Sequence, residues 1–206
     1  HASWSDIYAM RNQAVGEGLR QYVPEICNEL ESMGDELWQV ADSLPESGRV
    51  CFAAHRQAQR VDDAFVSSWL AVNCIREWRG DTHFAILTSE DISRVQAGIL
   101  HDAHLNYGGW IAQSRGADAE AITQAFADLE SRGLAQDGVV SNTGLAVREL
   151  IEERTNELTQ RAWQSFGLEN TERFLNMVEP IGERLMKRID DTAGPNWMPA
   201  ARERRP

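Results

Sequence analysis

The sequence predicts an all-α protein interrupted by one small β-hairpin. Three observations carry that prediction. Apolar residues recur at spacings of three and four along most of the 206 residues, while strict alternation is nearly absent. Seven tryptophans against six prolines fit a packed helical chain. A single hairpin signal, Gln136-Asp137-Gly138, sits between Leu134-Ala135 and Val139-Val140. The composition, 42% hydrophobic and 25% charged, is that of a globular protein with room for one large or two small domains.

The elements run in this order. Ser3-Trp-Ser-Asp6 is a capping box that opens the first helix. Val15, Leu19, Tyr22, Ile26, Leu30 and Met33 then mark one helical face, with a kink or restart expected at Pro24. Leu37, Val40 and Leu44 carry a further stretch, ended by the loop at Pro45 and Gly48. Residues 50–60 read as weakly patterned helix. Asp62 and Asp63 are placed to cap the next helix, which runs to about Trp78 and is apolar nearly all round, as a central helix is. Arg79-Gly80-Asp81 is expected to break it, with Asp81 capping a short helix to Leu87. Thr88-Ser-Glu-Asp91 is expected to cap a helix to about Leu105. Then come a short helix near 109–114, one at about 118–131, the hairpin, a long helix from Thr143-Gly144 to Phe166, and a last helix at about 170–190.

From 91 to 166 this order is that of a winged helix-turn-helix. The predicted architecture is a helical region, 1–90, packed on a degenerate winged helix with a C-terminal helix, 91–190, followed by an irregular tail, 191–206. Charge argues against DNA reading. The net charge is −12, which repels nucleic acid and anionic membrane. The helix that would enter the groove carries Asp118, Glu120, Asp128 and Glu130, with no Lys or Arg before Arg132. The wing turn adds Asp137, and only Gln124 suits a base edge. Arg202, Arg204 and Arg205 are too few and too terminal to reverse this. No apolar run approaches the roughly 18 residues of a membrane span. Cys27, Cys51 and Cys74 form no CxxC pair and read as reduced and buried, which places the protein in the cytoplasm. The chain opens on His1 without Met and reads as processed, tagged or a fragment.

The segment Cys74-Ile-Arg-Glu-Trp-Arg-Gly-Asp-Thr-His-Phe-Ala-Ile-Leu87, together with the residues C-terminal to it, resembles an actinobacterial family, the SCO6745-like or helix-turn-helix-67 proteins. The matching positions are Arg76-Glu77, Arg79-Gly80-Asp81, His83, Leu100-His101, Arg132-Gly133-Leu134, Asp137-Gly138, Thr143-Gly144, Arg148, Ile151-Glu152, Thr155, Trp163 and Gly167, with the loop 45–49. The resemblance covers roughly 35–185. Trp78, Thr82, Ala117 and Asn156 depart from the family's usual residues. Family members carry a further N-terminal segment with a His and several aromatics. Its absence implies an interior completed by a separate chain or by a second copy.

Two readings attach to each candidate residue. Arg79, Asp81 and His83 either form a turn with a helix cap or point into a cavity. There Asp81 would orient a histidine and Arg79 would hold a carboxylate or phosphate. His101 lies with Ala97, Gly98 and Leu105 on a small apolar face, suited to a close helix contact or a pocket. His101 and His104, one turn apart, are candidate metal ligands, but no ligand signature accompanies them, and no metal or other cofactor is assigned. Thr155 either bonds a carbonyl one turn back or offers a hydroxyl to a pocket. The expected ligand-binding set is Arg79, Asp81, His83, His101 and Thr155. The leading function is small-molecule binding in an interhelical pocket beside a winged-helix scaffold, with catalysis left open. The alternatives are a ligand-responsive regulator and a subunit of a larger complex.

Overall fold

A computed structural model describes residues 2–202. Among the described residues the protein is all-α with one two-stranded antiparallel sheet. In chain order the helices are α1 (Trp4–Tyr22), α2 (Cys27–Ser32), α3 (Gly34–Ser43), α4 (Val50–Gln57), α5 (Ala64–Ser89), α6 (Arg94–Leu105), α7 (Trp110–Ser114) and α8 (Ala119–Ser131). Strands β1 (Ala135–Gln136) and β2 (Val139–Val140) come next, then α9 (Asn142–Phe166), α10 (Leu168–Val178) and α11 (Gly182–Thr192). No helix among the described residues is long and apolar enough to cross a membrane. The chain divides into two compact units, His1–Asp81 with Thr159–Arg188, and Thr82–Leu158 with Ile189–Pro206.

The first unit buries Leu30, Met33, Leu37, Phe52, Phe65 and Trp78 in one core, each at 4% exposure or less. Burial of one such side chain contributes roughly 1.5–3 kcal/mol. Ser3 and Asp6 form the expected capping box on α1. Pro24 lies just past the end of α1 and opens a short 3-10 turn, Pro24–Ile26, before α2. Asp63 caps α5 by accepting the Val66 N–H at 3.1 Å. Pro180 lies in a 3-10 turn, Glu179–Ile181, so the expected last helix is two helices, α10 and α11.

The second unit contains the helix-turn-helix. Ser93 and Gln96 form the capping box of α6. The expected cap at Thr88 is corrected: Thr88 belongs to the last turn of α5, where its hydroxyl donates to the Phe84 carbonyl at 2.9 Å. Asp91, at φ 52°, turns the chain between them. Asp118 caps α8, whose buried stripe is Ala125 and Leu129. Asp137 and Gly138 both take positive φ, 51° and 74°, as a two-residue type I′ hairpin requires. The register pairs Ala135 with Val140 and Gln136 with Val139. Gly144 admits the hairpin against α9: a Cβ there would stand 2.2 Å from the Leu134 carbonyl oxygen.

Two further expectations are corrected. Arg79-Gly80-Asp81 does not break the chain, because α5 runs through it for 26 residues. Trp78, Thr82 and Ile86 are each at most 4% exposed, so packing on both sides of Gly80 outweighs its cost of about 1 kcal/mol relative to Ala. The cysteines are free, but only Cys74 is buried; Cys27 is half-buried and Cys51 exposed. The described part of the tail, to Arg202, is turns and bends with one short helical turn. A 3-10 turn covers Pro199–Arg202, Arg202 donates to the Trp197 carbonyl at 2.8 Å, and Trp197 meets Trp110 edge-on at 5.3 Å. Arg204 and Arg205 lie outside the described residues.

Candidate functional site

A continuous α5 sets the directions of the candidate residues it carries. Residues two apart on an α-helix stand about 200° apart, so Asp81 faces away from both Arg79 and His83. Within the first unit Asp81 reaches α4. Its Oδ2 accepts the Phe52 backbone N–H at 2.8 Å. Phe52 is in the first turn of α4, where the N-cap residue Arg49 supplies no side-chain hydrogen bond. Asp81 is therefore a cap, but for α4 and not for its own helix. Its charge is felt nearby. The Cys51 thiol is pushed up, first by burial and then by the Asp81 carboxylate. The Arg49 guanidinium is pushed down by burial and by Arg161, with Asp81 acting in the opposite sense. Arg79 is half-buried.

The loop 45–49 is fastened to Trp78. The indole Nε1–H donates to the Pro45 carbonyl at 3.1 Å, and the Arg49 guanidinium lies 4.8 Å over the ring. Arg56 adds hydrogen bonds to the carbonyls of Asp42 and Leu44 and an ion pair with Glu46. Trp78 at this position is thus tied to the loop through both its edge and its face.

In the second unit the structure joins two of the expected residues. His83 Nδ1 lies 3.1 Å from Thr155 Oγ1. Thr155 is fully buried, and its hydroxyl donates to the Ile151 carbonyl at 2.7 Å. A hydroxyl has one proton. With that proton on Ile151, Oγ1 accepts from His83, so the neutral imidazole carries its proton on Nδ1 and presents Nε2 as the acceptor. Glu152 Oε1 stands 3.9 Å from the same Nδ1, and both side chains are about a quarter exposed. Glu152 is the residue that sequence reasoning missed, although it sits next to Ile151 in the matched segment. Its spacing of three from Thr155 already placed the two on adjoining turns of one helix.

His101 does not join this pair in any contact described. It is half-buried on α6, as are Ala97 and Leu105, while Gly98 is buried against α7. A Cβ at Gly98 would stand 3.2 Å from Ala112 Cα, so a close helix contact accounts for that position. His104 is exposed. Among the described residues, no group of three or more His, Cys, Asp or Glu is arranged to hold a metal ion.

The surface that would face DNA is acidic and internally bonded. Asp118 accepts from the Ala121 N–H, and Glu130 accepts from the Gly138 N–H of the wing turn, both at 2.8 Å. Arg132 donates to the carbonyls of Asp91 and Glu90 at 2.7 and 2.8 Å. Arg94 donates to the Arg115 carbonyl at 2.9 Å. Arg132 and Arg94 are thus engaged in holding turns.

The model of a helix-turn-helix family matches residues 1–192. No curated protein and no solved structure matches the chain.

Proposed function

This chain belongs to the helix-turn-helix family, and from that premise we propose that it binds a small molecule, its winged helix serving as a scaffold and not as a DNA reader. Within the family we place it in the SCO6745-like branch, on the segments 76–83 and 132–155. The observation that carries the ligand reading is the His83–Thr155 pair. A fully buried hydroxyl fixes the imidazole's tautomer, and a fixed tautomer is what a site needs to present one directed acceptor to a ligand donor. His101, in the same unit, remains in the proposed set. In the first unit Asp81 fixes α4 through the Phe52 N–H.

The scaffold reading rests on the bonded state of Arg132 and on the four carboxylates of the reading helix. Phosphate neutralisation supplies most non-specific DNA affinity, and this surface subtracts from it. A ligand-responsive regulator is the second reading, favoured by the order of α6, α7, α8 and the hairpin wing.

Native mass spectrometry of the protein as purified tests the first reading. We expect a retained mass that is lost in both His83→Ala and Thr155→Val. A retained mass unaffected by either variant, or none in the wild type, refutes it. A gel shift with random duplex at about 150 mM salt tests the second. Binding at micromolar concentration would make the protein a DNA reader.

A further inference from the structure

The second unit holds a separate cavity of about 210 Å³ between α6, α7, α8 and the hairpin. Its apolar walls are Ile99 and Ala103 of α6, Ile122 and Phe126 of α8, and Val139 and Val140 of β2. One wall is polar. Asp102, only 6% exposed, lines the cavity beside Gly109. Its Oδ1 accepts the Gly109 N–H at 2.7 Å and its Oδ2 accepts the Ile111 N–H at 2.8 Å.

Those two bonds are the work of a cap for α7. They do not saturate the carboxylate, since each oxygen accepts along two lone-pair directions. Asp102 and Gln113 are the polar side chains on the wall of this mostly apolar space, where a charged or N–H donor to the carboxylate is worth most. The lining residues include no lysine or arginine. Val139, in the lining on the hairpin side, is 68% exposed and marks the open mouth of the cavity.

We propose that this cavity binds a compact apolar amine, with its ring against Ile122, Phe126 and Val139 and its ammonium on Asp102. The cavity's volume suits a ligand of about a dozen non-hydrogen atoms, below the size of a drug-like molecule. The site is distinct from the His83–Thr155 pair and is independent of the function proposed for that pair.

Three indole probes of similar size and different charge test it: tryptamine (cation), indole-3-ethanol (neutral) and indole-3-acetate (anion). Each is titrated into the full chain and followed by amide NMR. We expect tryptamine to shift the Gly109, Ala112 and Val139 amides at submillimolar concentration, at least tenfold more tightly than the other two. Ala103→Phe fills the cavity and removes these shifts. Should that variant misfold, Val139→Lys at the exposed mouth serves, placing a cation where the amine must enter, and weakens tryptamine at least fivefold. Asp102→Asn keeps one of the two acceptor oxygens, removes the charge and abolishes the preference for amine over alcohol. His83→Ala leaves all three titrations unchanged. Equal binding of the three probes overturns the amine assignment. Absence of shifts at the cavity amides up to about 5 mM overturns the site.

Discussion

Asp81 on α5 accepts the Phe52 N–H at 2.8 Å, so the first turn of α4 is capped from a different helix. An asparagine at 81 keeps an acceptor on that N–H, whereas an alanine removes it. Asp81→Ala is expected to cost about 1 kcal/mol and Asp81→Asn a few tenths at most. Urea denaturation of the two variants checks this. Equal losses would show that the carboxylate's charge, and not the cap, is what matters.

The same carboxylate raises the Cys51 thiol, after burial has done so. Asp81→Asn removes the negative charge and leaves the burial. Cys51 is then expected to ionise at lower pH and to react faster with iodoacetamide at pH 8. An unchanged alkylation rate would place Asp81 out of electrostatic reach of Cys51.

Gly80 tests the continuity of α5. A Cβ built there meets nothing nearer than the Glu77 carboxylate at 3.9 Å. In a helix interior with free space, Gly80→Ala is expected to stabilise by about 0.5–1 kcal/mol. A melting temperature that falls would mean that the backbone at Gly80 leaves helical geometry in solution.

Cys74 gives the pH dependence. Burial pushes its thiol from 9.0 to about 11. The folded form therefore holds its proton after the unfolded chain has lost it. Its contribution to stability is whole below pH 9 and declines as pH rises from 9.0 to about 11. Urea melts across that window should show a shallower decline in Cys74→Ala than in the wild type. Parallel declines would leave Cys74 without a role in the alkaline transition.

Thr155→Val preserves shape and removes the hydroxyl. His83 loses its acceptor, and the expected cost is about 1 kcal/mol. The more specific readout is the imidazole itself. Nitrogen NMR at pH 8 should show the Nδ1–H tautomer in the wild type and a mixture in the variant. The same tautomer ratio in both would remove the basis for a fixed acceptor at His83.

Local signals are legible in the sequence where only one answer is open. Ser3 with Asp6, Asp63, and the Asp137-Gly138 turn each act over three or four residues and form as expected. Between 88 and 96, two capping boxes compete, Thr88 to Asp91 and Ser93 to Gln96, five residues apart. Both precede the same apolar face, and the choice of Ser93 depends on Asp91 adopting a left-handed turn. At Gly80 local propensity argues for a break, and burial on either side overrides it. The site divides in the same way. Thr155 reads as facing inward, but its bond to His83 joins residues 72 apart, and no spacing rule reaches that far. Asp102 is the least legible of all, because a carboxylate seven residues before Gly109 is the only local sign of the cap it provides.

The wing is fastened at several points. Glu130 holds Gly138, the Ser141 N–H and hydroxyl donate to the Leu134 and Gly133 carbonyls, and Gly144 lets the α9 backbone lie against Leu134. Two strands of two residues have almost no stability of their own. Their persistence is inherited from the helix ends that grip them. In hydrogen exchange, the hairpin is then expected to open together with the C-terminal turn of α8 and the N-terminal turn of α9, as one cooperative unit and not as a flap.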